Sequence, residues 1–226
     1  MSLKSQFLLR TSLAAVLVPA MLFVSAGSVK FWQGWAFLAV FLVPVLVFMS
    51  YLYKHDPQLM KRRIQMKEKF SSQNLIQAAA PLLFAATFVL SGLDHRFGWS
   101  RTSLGSVPLW VTLLSECLVL SGVLLVFWVM RVNSFAARTI RVEAGQPVIS
   151  SGPYRFVRHP MYLGAVVMCL AIPLGLGSWT AFPACALFVP IIVFRLLFEE
   201  KFLRRELPGY SEYCLRTRFR LVPRIW

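Results

Sequence analysis

Six apolar runs, separated by short polar segments, dominate the pattern of hydrophobic and polar positions along the chain. Each run approaches the ~20 residues that an α-helix needs to cross the hydrocarbon core of a bilayer. A glycine-containing turn around 175–178 joins the last two runs, which predicts a helical hairpin. A further helix is expected at 199–216. The predicted spans are 8–26, 32–53, 74–93, 108–130, 160–177 and 179–198.

This pattern predicts an all-α fold, a polytopic transmembrane helical bundle of about six spans. We divide it into 1–130, with about four spans, and 131–226, which ends in a C-terminal helix and tail. Composition agrees, because 58% of the 226 residues are hydrophobic, above the roughly half that soluble domains use. The first run follows Lys4 and Arg10 and is similar to a signal peptide, but its spanning length favours a retained helix.

The net charge of +15 is explained better by membrane topology than by a nucleic-acid partner. Of the 24 lysines and arginines, all except Lys30, Arg96 and Arg101 lie on or beside segments that alternating spans place on one side. This asymmetry follows the positive-inside rule, so we expect both termini in the cytoplasm, at the cell membrane if the protein is bacterial. It also makes membrane lipids, rather than nucleic acid, the expected partners.

The cysteines and histidines give no sign of metal chemistry. Four cysteines include no C-x-x-C pair, and His55, His95 and His159 are scattered along the chain. We therefore predict neither a disulfide framework nor a bound metal. Glu116 is the one acidic residue inside the fourth span, and we expect it to have a structural role in helix pairing.

The longest polar segment, 131–158, contains Gly, Pro and Ser and is predicted to be irregular backbone. It ends in His159-Pro160, a helix start in which proline takes the first helical position. The free amides of that first turn are expected to form an anion site. His159 and Tyr162 share a helix face, because they are three residues apart. The alternative is an ordinary interfacial belt of Tyr, Arg and His.

A second polar cluster stands at the inner end of the last span. Arg195 and Glu199 are four residues apart and share one face, where an ordinary ion pair is the simpler interpretation. In a partly buried site the same two groups can hold a carboxylate and an ammonium. Glu200 points about 100° away and is expected to face water or to cap a neighbour.

These two clusters resemble the isoprenylcysteine carboxyl methyltransferase family and its phospholipid-methylating relatives. The first motif is Gly-Pro-Tyr, four residues, then His-Pro-x-Tyr at 152–162. The similarity extends over 131–224, about 40% of the chain, and the first three spans match only as generic apolar helices. The closing pattern consists of Glu199, Glu200, Leu203, Leu207, Gly209, Tyr210, Tyr213, Val222 and Pro223.

The resemblance implies S-adenosylmethionine (AdoMet) as cofactor, bound on the cytoplasmic side by the last spans and the tail. It also implies that Arg195 orients the methyl acceptor. Gln146 stands where the family often has His, and Leu207-Pro208-Gly209 stands where it usually has Phe-Gly. The implied cofactor contacts are Gln146, Pro147, Val148, Ile149, Tyr154, His159, Pro160, Met161, Tyr162 and Glu199.

We therefore expect a membrane methyltransferase acting on a lipophilic small molecule or a lipidated acceptor. A carboxylate acceptor is already ionised near pH 7 and needs no general base, whereas an amine or phenol would need one, with His159 the nearest candidate. One alternative is a sterol-reductase-like NADPH-dependent oxidoreductase, against which Met161 and the Glu199-Glu200 pair weigh. Another is a non-enzymatic membrane scaffold, against which intact Arg195, His159 and Glu199 weigh.

Overall fold

The computed structural model describes residues 2–64 and 70–226, and its regular structure over these residues is helical. The predicted helical bundle is confirmed. Two basic residues between the second and third predicted spans, Lys67 and Lys69, lie outside the described residues. The helices are α1 (Leu3–Ala26), α2 (Trp32–His55), α3 (Pro57–Ile64), α4 (Ser71–Phe97), α5 (Trp99–Ser103), α6 (Leu109–Val132), α7 (Pro160–Gly175), α8 (Phe182–Glu206) and α9 (Tyr210–Arg216).

Five of these helices, α1, α2, α4, α6 and α8, are long and apolar enough to cross a membrane. The fifth predicted span corresponds to α7, an apolar helix of 16 residues, which is shorter than the ~20 residues that crossing requires. Pro160 fixes its start, and a turn that contains Gly177, with a positive φ of 72°, follows its end. The predicted hairpin is therefore present, with one short arm.

The predicted helix at 199–216 is wrong as a single element. α8 continues through Glu206, and a separate helix, α9, begins at Tyr210. The break falls at Pro208-Gly209, where Gly209 takes a φ of 82° that glycine adopts without strain. Proline cannot donate the backbone hydrogen bond that a continuous helix would need, so the chain turns here.

Small residues allow the helices to pack closely, as is common in membrane bundles. Gly122 on α6 faces Gly164 on α7, and a Cβ added at Gly122 would lie 2.5 Å from Met168 Cγ and 2.9 Å from Gly164 O. Gly92 on α4 packs against α1 in the same way, because a Cβ added at Gly92 would lie 2.7 Å from Leu22 O. The crossing at Gly122 and Gly164 packs α7 closely against α6, and α7 carries the His-Pro-x-Tyr motif at its inner end.

A buried carboxylate holds the opposite end of the α7–α8 hairpin. Asp94, at the end of α4, accepts hydrogen bonds from Ser100 N–H at 2.7 Å and from the Ser178 hydroxyl. Ser100 Oγ in turn accepts from Trp179 N–H at 2.8 Å. The turn between α7 and α8 is thus tied to α4 and α5, which sets the positions from which both helices run inward.

We predict that Gly122→Val destabilises the bundle by about 1–3 kcal/mol, because the added methyls must displace the α7 backbone. The matched control is Ser121→Val, the same final residue at an exposed neighbouring position of α6. The thermal unfolding midpoints of the two detergent-solubilised variants measure the difference. Equal midpoints would contradict the close crossing of α6 and α7.

Candidate functional site

The segment between α6 and α7 is irregular, as predicted, and it folds over the inner ends of the helices. Asn133 organises its start, because its Nδ2 donates to Tyr154 Oη at 2.8 Å and its Oδ1 accepts from Phe135 N–H at 2.9 Å. Farther along, Glu143 accepts a hydrogen bond of 2.7 Å from Arg62 on α3. The segment is therefore fixed at two points, and its inner surface becomes the wall of a cavity.

That cavity lies between the irregular segment, the start of α7, the inner end of α8 and the C-terminal helix α9. The empty space within it, including the mouth open to solvent, is about 890 Å³. Every residue predicted for the site lines it. These residues are Gln146, Pro147, Val148, Ile149, Tyr154, His159, Pro160, Met161, Tyr162, Arg195 and Glu199.

A hydrogen bond joins the two predicted halves of the site. Tyr162, on the first turn of α7, donates its hydroxyl hydrogen to Glu199 Oε2 on α8. The hairpin therefore brings together residues that are 37 positions apart in sequence. Because Glu199 is acceptor-only when ionised, the Tyr162 hydroxyl fixes one oxygen and leaves lone pairs on the carboxylate for a cationic group.

The predicted anion site of free amides at the start of α7 is wrong. The N–H groups of Tyr162 and Leu163 both donate to the His159 carbonyl, at 3.1 Å each. Such local bonds commonly satisfy the first amides of a helix, which would otherwise lack partners. A bound anion must therefore rely on side chains at this end of the cavity.

His159 lines the cavity, and its Nε2 lies 3.9 Å from Glu200 Oε2, beyond hydrogen-bond distance. The residue is buried, and its Nε2 has no hydrogen-bond partner among the described residues. Burial is the largest effect on the pKa of His159 and lowers it, so the imidazole is neutral at pH 7. The Tyr210 hydroxyl, also in the cavity wall, is buried without a partner in the same part of the chain. Buried polar atoms of this kind indicate a missing ligand or water.

Tyrosines form much of the remaining wall. Burial raises the pKa of Tyr154 to about 12, so its phenol stays protonated and accepts the hydrogen bond from Asn133. Tyr213 Oη donates to the Tyr154 carbonyl at 2.7 Å and thereby ties α9 to the 3₁₀ turn Gly152–Arg155. The sequence had placed Tyr210 and Tyr213 only in the closing pattern; the structure puts both in the cavity.

Arg195 is held at the cavity by two partners outside α8. Its Nη1 donates to Gln73 Oε1 on α4 at 3.0 Å, and its Nη2 donates to the Arg138 carbonyl at 2.6 Å. The arginine therefore links α4, α8 and the irregular segment. Neither partner carries a motif signature, and sequence spacing alone pointed only to Glu199.

The prediction for Glu200 is wrong, because the residue is only 3% exposed and is surrounded by arginines. Arg158 donates to Oε1 at 2.5 Å, Arg204 to Oε1 at 2.8 Å, and Arg220 to Oε2 at 2.7 Å. One carboxylate thus connects α8, the residue before His159 and the C-terminal tail. The helical angle between Glu199 and Glu200 was right, but the sequence did not show that the tail folds back over Glu200.

Backbone bonds complete this connection. Arg158 N–H donates to the Phe219 carbonyl at 2.9 Å, and His159 N–H donates to the Arg220 carbonyl at 3.0 Å. The tail therefore lies directly behind the motif histidine, and its position is set by the same residues that line the cavity.

A comparison with known families agrees with this geometry. Residues 110–208 match the phospholipid methyltransferase family. The resemblance to membrane methyltransferases is thereby confirmed over residues that include the first motif and the start of the closing pattern, Glu199 to Leu207. The match begins in α6 and ends just after α8, so α1 to α5 lie outside it. The narrower resemblance to isoprenylcysteine carboxyl methyltransferases stays a prediction.

A second similarity falls on a different enzyme class. The mouse delta(14)-sterol reductase TM7SF2 is 32% identical over 91 residues, which cover 39% of this chain and 22% of the reductase. The match therefore spans about a fifth of the relative's length. Most of the reductase lies outside the matched residues.

We predict that Glu200→Gln lowers the free energy of unfolding by about 3–5 kcal/mol, because it leaves buried arginine charge uncompensated. Trypsin should then cleave readily after Arg216 and Arg218. Glu206→Gln, an exposed carboxylate on the same helix, is the control. If both variants resist trypsin like the unchanged protein, Glu200 does not fix the tail.

Proposed function

We propose that this protein is an integral membrane methyltransferase that uses AdoMet and acts on a lipidic or membrane-partitioned acceptor. The observation that carries the proposal is the single cavity that the two motif halves enclose at the inner ends of α7 and α8. The family match over 110–208 supports the reaction class. The apolar helices around the cavity support an acceptor that reaches it from the membrane.

The residues of the cavity fit the charged and aromatic parts of AdoMet. Glu199 would hold the ammonium, with Tyr162 fixing its carboxylate. Arg158 Nε is buried without a partner among the described residues and would receive the carboxylate of the ligand, in place of the helix amides. Tyr154 and Tyr210 offer ring faces to the adenine or the cation. The unpaired Nε2 of His159 would complete the polar contacts.

Bound AdoMet supplies a methyl group on a positively charged sulfur. The protein then needs chiefly to align the acceptor and to exclude water. Arg195, held by Gln73 and the Arg138 carbonyl, is suited to orient an acceptor carboxylate, which needs no base for O-methylation. An amine acceptor would have to lose a proton, and the neutral imidazole of His159 is the group that can take it.

The charge asymmetry supports a cavity on the cytoplasmic side, together with both termini. In a bacterial cell the membrane concerned would be the cell membrane. The expected partners are therefore membrane lipids and a lipophilic or lipidated acceptor, with no role for nucleic acid or a metal.

The sterol reductase similarity favours a second candidate, an NADPH-dependent membrane oxidoreductase. The two candidates differ in what the cavity must bind: a cationic amino acid headgroup or a nicotinamide dinucleotide with several phosphates. The carboxylate of Glu199 in the cavity wall disfavours phosphate and favours an ammonium. This contrast makes ligand binding the decisive test.

We predict that the detergent-solubilised protein binds AdoMet and S-adenosylhomocysteine, and that NADPH gives no heat in isothermal titration calorimetry. Binding of NADPH with no heat from either adenosyl ligand would refute the methyltransferase proposal and support the reductase.

The same titration tests the role of Glu199. Glu199→Ala should weaken AdoMet affinity about tenfold to a hundredfold, as expected for a charge-assisted hydrogen bond. Glu206→Ala, an exposed position of α8, should leave affinity unchanged. Arg195→Ala should bind AdoMet but lose methyl transfer. Unchanged affinity in Glu199→Ala would show that the ammonium binds elsewhere.

A further inference from the structure

A second cavity lies beside the first, between α2 and α6. Its walls are apolar: Phe41, Val45, Phe48 and Met49 come from α2, and Val126 and Phe127 come from α6. Both helices are membrane-spanning candidates, and the α2 residues are each partly exposed, so this cleft faces the lipid. We call it the α2–α6 cleft.

The residues that line the cleft extend along the helices. Phe41 and Met49 are eight residues apart, which is about 12 Å along an α-helix. Phe41 lies in a π-helical segment of α2, Leu38–Leu42, a local irregularity that often accompanies functional sites. Phe48 and Phe127, which also line the cleft, stack on each other with ring centroids 3.9 Å apart. An apolar cleft of this length suits a hydrocarbon chain that lies along the helices.

One charged residue lines the inner end of the cleft. Arg63, on α3, lines it together with the apolar residues. The pKa of Arg63 is lowered to about 10, chiefly by burial and also by the charge of Arg138. Burial likewise lowers the pKa of Arg138, and the charges of Arg10 and Arg195 act in the same direction. Among the described residues, the charged groups that act on Arg63 and Arg138 are thus chiefly other arginines, an arrangement that favours an anion.

Arg63 also stands in the wall between the two cavities. Its Nη1 donates to the Ala136 carbonyl at 3.0 Å and contacts Met161 Sδ at 3.8 Å. Ala136 and Met161 both line the cavity of the proposed AdoMet site. A headgroup bound at Arg63 would therefore lie one side chain away from that site.

We propose that the α2–α6 cleft binds the hydrocarbon chain of an amphiphile whose anionic head pairs with Arg63. The apolar walls and the charge complementarity at Arg63 carry this proposal independently of the methyltransferase function. Both α2 and α3 lie outside the residues that match the phospholipid methyltransferase family, so this selectivity belongs to the N-terminal helices of this chain.

Photolabelling of the full chain in lipid nanodiscs tests the site. The probe is hexadecanoic acid with a diazirine in mid-chain, and labelled peptides are mapped by mass spectrometry. We expect label on the peptides containing Phe48 and Phe127. Unlabelled hexadecanoate should compete at least about tenfold better than methyl hexadecanoate or hexadecylamine, since only the acid can form a charge-assisted bond with Arg63.

Three variants make the test specific. Arg63→Gln should abolish the preference for the acid, and Val126→Trp should block labelling of the cleft. Val47→Trp, the same change at an exposed position of α2, should label like the unchanged protein. AdoMet titration of each variant reports folding of the neighbouring cavity independently of the label.

The outcomes separate this inference from the proposed function. Either of two results overturns the amphiphile site, even if AdoMet binds. The first is that methyl hexadecanoate competes as well as hexadecanoate. The second is that Val126→Trp and Val47→Trp are labelled equally. Label in the cleft with the acid preference intact supports the site, and if AdoMet does not bind in that case, it is the methyltransferase proposal that fails.

Discussion

The buried carboxylate of Glu200 is the interaction on which the inner half of the structure depends. A charge in such a place is costly unless it is paired, and Glu200 is paired with Arg158, Arg204 and Arg220. These arginines come from the segment before α7, from α8 and from the tail. One acceptor therefore forces three distant parts of the chain to converge, and the cavity lies where they meet.

Much of the helical bundle could be predicted because apolar length is a local property of sequence. The break between α8 and α9 is a local feature of Pro208 and Gly209, which the predicted continuous helix did not take into account. The packing of α9, by contrast, depends on Tyr213 reaching the distant Tyr154. The short arm α7 likewise depends on the turn tied down at Asp94.

The candidate site shows the same division. Motif spacing placed Tyr162 and Glu199 in one site, and they are joined in the structure. It did not show that Leu163 N–H and Tyr162 N–H are already bonded, nor that Gln73 and the Arg138 carbonyl hold Arg195. Arg63 had no signal beyond its place in a basic run. Helix periodicity gives neighbours within one helix, whereas Gln73 and Arg138 lie 122 and 57 residues from Arg195 in the sequence.

The central claim is that the two motif halves form one AdoMet site that methylates a membrane-soluble compound. Lipid profiling of cells fed methionine with an isotope-labelled methyl group tests it most directly. Cells expressing the unchanged protein should accumulate at least one labelled, lipid-extractable species that is absent from cells expressing Glu199→Ala and from cells without the protein. Identical labelled profiles in all three, with the protein present in the membrane at equal levels, would contradict the account.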